Sequence, residues 1–146
     1  MVGGFILGKG KILRTLEVFA QGISRSNLYN NIGEVENHTE ITCFWISPQF
    51  RRNNLLNNFV WLSLAFLLKC FANEKILFGT CSASLAKLYG ITPKSKLIHK
   101  DVINGKRTFI FQSERRTSLQ GFWEILRYKW ARQARIRRSA TLHHIV

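Results

Sequence analysis

The run Glu40-Ile41-Thr42-Cys43-Phe44-Trp45-Ile46-Ser47-Pro48-Gln49-Phe50-Arg51-Arg52 decides how this chain of 146 residues is read. Its first half is rich in β-branched and aromatic residues, which suit a pleated, half-buried surface, so residues 40–46 read as a central strand. Pro48 lacks the N–H that a strand interior needs and ends it. Asn53 and Asn54 then supply a helix cap ahead of residues 55–72, which are apolar nearly all round from Phe59 to Leu68. Such a helix should be buried on more than one side. A membrane span competes with this reading. The uninterrupted apolar stretch is about ten to fourteen residues, however, against the roughly twenty that cross a bilayer, and Lys69 interrupts it.

Working outward, residues 3–7 begin as a strand does, at the first residues of the chain, so the sequence starts as if in the middle of a domain. Residues 12–19 fit neither period cleanly and predict short helical or irregular structure. Residues 21–36 are polar and rich in Asn, Ser and Gly, the composition of a mobile loop. On the other side, residues 75–78 make a brief strand. Residues 79–81 turn into a helix over 82–89, with Leu85, Leu88 and Tyr89 on one side. Asn104-Gly105 is a strong hairpin signal between strands at 97–103 and 106–112. The order is that of an α/β fold with a mixed central sheet flanked by helices.

Residues 115–146 differ in composition. They carry eight basic residues against the single acid Glu124, a net +7. Leu119, Phe122, Trp123, Leu126 and Trp130 recur at spacings of three and four, so residues 119–138 predict a basic amphipathic helix ending in a frayed tail. The chain divides into a core over 1–114 and this basic helix and tail over 115–146. Across the whole sequence, 22 Lys and Arg face 8 Asp and Glu, a net charge of +14. Such a surface selects anionic partners without choosing among nucleic acid, lipid, a phosphorylated cofactor or an acidic protein. Cys43, Cys70 and Cys81 are an odd, widely spaced set and read as reduced, mostly buried thiols of a cytoplasmic protein with no export signal. The four histidines show no ligand spacing with them, so no metal is expected.

The strand Glu40-x-Thr42-Cys43-Phe44-x-Ile46 resembles the Glu-x-Ser-Arg-Phe-x-Val strand of the acyl-homoserine-lactone autoinducer synthases and N-acyl amino acid synthases, a branch of the GNAT (N-acetyltransferase-like) superfamily. Glu40 and Phe44 match; Cys43 stands where that pattern has Arg. Arg51-Arg52-Asn53-Asn54-Leu55-Leu56 takes the place of the superfamily's Arg-x-x-Gly-x-Gly/Ala loop, with Asn54 and Leu56 at the glycine positions. Ser82, Leu85, Leu88 and Tyr89 resemble its Asn-x-x-Ala-x-x-Leu-Tyr helix. The resemblance covers residues 3–112 and implies a GNAT-like sheet lacking its N-terminal part.

It also implies a chemistry, attack of an amine on a thioester carbonyl. Glu40 would be the general base and Tyr89 the proton donor to the departing thiolate. Backbone N–H groups from Phe44 to Ile46, where such folds splay two parallel strands apart, would hold the oxyanion. Arg51, Arg52, Asn53 and Asn54 would bind the donor's phosphate at a helix N-terminus. Without the glycines, close backbone approach is weakened, which favours the phosphopantetheine arm of an acyl carrier protein over free acetyl-coenzyme A. Each residue has a plainer reading. Glu40 can pair at a strand start, Tyr89 can pack on the sheet, and two arginines can sit on a solvated loop. At the level of the whole chain, an N-acyltransferase using an acyl carrier protein or coenzyme A thioester competes with a non-catalytic protein on the same fold. The latter would use the basic helix on nucleic acid or, as a peripheral protein, on an anionic membrane.

Overall fold

In the computed structural model, which describes residues 3–50 and 53–143, five strands form one sheet. They are β1 (Gly3–Gly8), β2 (His38–Ile46), β3 (Lys75–Thr80), β4 (Lys96–Ile103) and β5 (Lys106–Glu114), in the spatial order β1-β2-β3-β5-β4. Only β2 and β3 run parallel; every other neighbouring pair is antiparallel. Parallel neighbours need a long crossover, and the apolar helix α3 (Asn54–Phe71) supplies it. Asn53 caps α3, its Oδ1 accepting the Leu56 N–H at 3.1 Å. The β4–β5 hairpin turns on Asn104 and Gly105, both at positive φ, as a two-residue turn of this hand requires.

Alternation along the strands divides the core in two. Ile76, Phe78 and Phe111 face one side, where they meet α3, α4 (Ala83–Gly90) and the inner side of α5 (Ser118–His143). Leu77 and Ile110 face the other and are fully buried under α1 (Arg14–Phe19) and α2 (Gly22–Ile32). The inner residues of α5, Phe122, Ile125 and Leu126, share a core with α3, so packing continues across the 114/115 boundary.

Three expectations are corrected. Residues 22–32, read as a mobile loop, are helical. Their composition carries no apolar period, and the helix is held from outside by buried Leu28 and by Tyr29, whose hydroxyl accepts the Leu13 N–H and donates to Glu17. Helix α3 buries one side only; Leu55, Phe59, Leu62 and Phe66 are exposed. The three cysteines, expected to be mostly buried, are all exposed, because an apolar run on a one-sided helix or at a strand end does not imply burial.

The register of β2 contains one irregularity. Gly4 pairs with Trp45 and Ile6 with Thr42, so Phe5 alone faces Cys43 and Phe44 together. This is a β-bulge, with the extra residue on β2 and Cys43 at φ 54°. On its other side β2 follows β3 only from His38↔Lys75 to Ile41↔Phe78. A bulge bends the strand that carries it, and here β2 departs from β3 where the bulge begins.

Two predictions follow from these contacts. A left-handed backbone costs any side chain about 1–2 kcal/mol, which Cys43 already bears, and a β-branched one more, so Cys43→Ile should destabilise the fold further and Cys43→Gly should not. Urea titrations of both variants measure this. His38 is buried, with Nδ1 3.0 Å from the Glu34 carbonyl and Nε2 2.8 Å from the Gln112 amide nitrogen. The carbonyl accepts only, so Nδ1 carries the proton and Nε2 accepts from Gln112. Burial, aided by the charge of Lys75, lowers the His38 pKa from 6.5. The unfolded chain therefore takes up a proton that the folded one resists. This stability is complete above about pH 6.5 and is lost as pH falls toward the folded value. Unfolding free energy should decline over that window, and His38→Gln should remove that component of the decline.

Candidate active site

Where β2 and β3 part, a cleft of about 420 Å³ opens through the sheet. Helix α1 contributes Arg14, Thr15 and Phe19 to its wall, and α4 contributes Leu85 and Tyr89 from the opposite face. Between them lie Thr42, Cys43 and Phe44 of β2 and, past the end of β3, Cys81. Gly79 is required at this edge, because a Cβ there would collide with the ring of Phe19. The aromatic end of α1 therefore lies directly on β3.

Glu40 is on an interior strand, 4% exposed, with its side chain on the α1 face. Its Oε2 accepts the Thr15 N–H at 2.8 Å. Its Oε1 lies over Gly8 of β1, where an added Cβ would come within 2.7 Å. The carboxylate thus stands one hydrogen bond behind the cleft wall. Thr15 itself is 2% exposed, and its Oγ1 is buried without a hydrogen-bond partner among the described residues.

Tyr89 is on the other face of the sheet. Its ring lies among Phe78, Phe111 and Trp61, with centroids 4.4, 5.9 and 6.3 Å away. Burial pushes its phenol up to about 12, so it stays protonated at neutral pH. Ile41 and Tyr89 border the cleft on one side and, on the other, an apolar space of about 60 Å³ among Trp61, Leu64, Phe78 and Phe122. Glu40 and Tyr89 are consequently not in contact. They approach the same opening from opposite faces.

Phe44 lines the cleft and packs on Trp61 at 4.7 Å between ring centroids. Ile46 is buried beyond the bulge, paired with Gly3. Asn53 is exposed and occupied in capping α3, of which Asn54 is the first residue. Arg51 and Arg52 lie outside the described residues. Among the described residues, no cluster of three or more His, Cys, Asp or Glu side chains could hold a metal ion.

Arg14 and Thr15 are among the cleft residues that the sequence did not flag. They fall in a stretch without clear periodicity, and only the packing of α1 over β2 and β3 brings them to the opening. Arg14 lines the same cleft as Cys43.

The chain matches no protein-family model and no curated protein sequence. Solved structures do match. One is a CoA-dependent acyl-homoserine lactone synthase, MesI, at a TM-score of 0.55 and 14% identity, over 83% of this chain and 60% of that one. Another is TofI, solved in a ternary complex with an inhibitor and MTA, at a TM-score of 0.50 and 13% identity, over 83% of this chain and 61% of that one. The chain thus spans about 60% of the length of these neighbours. At these identities the likeness is one of fold: a mixed α/β architecture, its five-stranded sheet flanked by helices, matching part of the acyl-homoserine lactone synthase structure.

Proposed function

We propose that this chain performs acyl transfer from the thioester of an acyl carrier protein or coenzyme A to an amine, with an amino acid as the amine. The observation that carries the reading is the cleft between β2 and β3, open to both faces of the sheet, with Glu40 behind one wall and Tyr89 in the other. A thioester carbonyl seated in that gap can be approached by an amine from the α1 face while its sulfur faces α4. The amine nitrogen attacks the carbonyl carbon, the C–S bond breaks, and the free thiol leaves. Glu40 takes the proton released by the amine, directly or through a water, and Tyr89 donates its own to the thiolate. Backbone N–H groups at the bulge, which have no partner strand on the β3 side beyond Ile41, suit the oxyanion.

Arg14 lines the cleft, and its guanidinium turned inward would suit the carboxylate of an amino acid acceptor. The apolar space behind Ile41 and Tyr89 suits an acyl tail. Arg51 and Arg52, preceding α3 in sequence, would hold the phosphate of the pantetheine arm. The chain's charge of +14 would attract an acidic carrier protein.

The test is mass spectrometry of the organic extract after the purified chain is incubated with acyl carrier protein bearing an acyl group, or with acyl-coenzyme A, and the common amino acids. An N-acyl amino acid is the expected product; its absence from both donors would overturn the reading. Glu40→Gln should lower turnover by roughly 10² to 10⁴, the loss expected of a missing general base. Tyr89→Phe, which keeps the ring packing, should lower it less. Replacing Arg51 and Arg52 together with Ala should weaken carrier-protein binding by more than the ~1 kcal/mol of an exposed pair. Calorimetry on wild type and double variant measures the difference.

A further inference from the structure

Two lines of exposed apolar side chains run along the outer side of the α3–α5 layer. On α3 they are Leu55, Phe59, Leu62 and Phe66, between 42% and 80% exposed. Steps of four, three and four residues keep them on one edge of the helix, opposite buried Leu64 and Leu68. On α5 they are Trp123 and Trp130, 55% and 58% exposed, seven residues apart and opposite buried Ile125. Both helices press their inner sides into the same core on the same face of the sheet. Lys129 ties them together, donating to the Asn57 and Asn58 side chains at 3.1 and 3.3 Å. Each line lies on a side of its helix that the shared core leaves uncovered. Six large apolar side chains make a patch well beyond the singly scattered ones of an ordinary surface.

The charge around the patch is predominantly positive. Lys69 continues the α3 line one step past Phe66, and Arg127 stands between the two tryptophans. Helix α3 contains no acid, and the single acid of α5, Glu124, is paired with Arg127 at 3.1 Å. A second copy of the chain would bring together two molecules that each carry a net charge of +14. Nucleic acid would satisfy the cations but offers nothing to a line of Leu and Phe. An anionic bilayer satisfies both: tryptophan settles at headgroup depth, Leu and Phe reach the acyl boundary, and Lys and Arg pair with lipid phosphates.

We propose that the outer face of α3 and α5 docks on the surface of an anionic membrane, with both helices lying in its plane. Among the described residues no helix is long and apolar enough to cross one. This inference is independent of the acyl-transfer reading and uses no residue assigned to it.

The full chain should co-sediment with vesicles of phosphatidylcholine mixed with phosphatidylglycerol, with its tryptophan emission shifted to shorter wavelength, and should bind pure phosphatidylcholine weakly. Phe59→Ser with Phe66→Ser should weaken binding by about tenfold or more while leaving the circular dichroism unchanged, since both residues are exposed. Lys69→Gln with Arg127→Gln keeps the apolar lines and should lower only the preference for phosphatidylglycerol. The proposal is overturned if wild type ignores the anionic vesicles, or if the Phe variant binds them equally well. It is also overturned if light scattering finds a wild-type dimer that the Phe variant abolishes, or if the chain binds a DNA oligonucleotide but no vesicle.

Discussion

The mismatch between β1 and β2, in which Phe5 faces both Cys43 and Phe44, determines where the sheet stays closed and where it opens. Up to Ile41 every strand is laddered to its neighbours, and the two faces are sealed from each other by paired backbone. Past it, β2 keeps only β1 as a partner, and the gap toward β3 is walled by side chains from helices on both sides. Cavity and aromatic lining depend on that divergence, and so does access to the acid from the other face. Were β2 and β3 paired to their ends, Tyr89 and Glu40 would belong to two unconnected cores.

The acid depends on β1 as well. A carboxylate buried to this degree needs a donor and needs room, and both come from outside β2: the N–H of Thr15 on α1 and the missing side chain of Gly8. Elements distant in sequence thereby share one small polar region beneath α1. The same hydrogen bond holds the start of a six-residue helix that has no side-chain cap of its own. Part of what Glu40 does is architectural, whichever chemistry the cleft supports.

Much of this architecture was legible in the residues. Strand β2, the cap at Asn53, the crossover helix and the Asn104-Gly105 hairpin each carry a local signal strong enough to survive tertiary packing. Helix α2 carries none. Its Gly, Ser and Asn residues favour a loop, and it exists because Leu28 and Tyr29 find partners in α1 and its lead-in. The exposure of Cys43, Cys70 and Cys81 was hidden for a related reason, since local composition reports how apolar a segment is but not which side of it is covered. The cleft was the least legible feature. Glu40 and Tyr89 were marked by pattern, whereas their placement on opposite faces follows from strand parity and register. Arg14 and Thr15 reach the opening only through the docking of α1, which no local spacing encodes.

The two edges of the sheet are not alike. Strand β4 ends it on one side and presents exposed Lys96 and Lys100, with Lys106 and Arg107 beside them on β5. Charge of this kind discourages another strand from pairing there. Among the described residues, strand β1 ends the other side with Gly-Gly-Phe-Ile-Leu-Gly and no charge. An unguarded edge opposite a guarded one limits how copies of such a chain could join through their backbones. Two β1 edges can pair with each other, but the resulting ten-stranded sheet would then be bounded by lysine on both sides. Association by that route closes at two chains and does not propagate into a fibre.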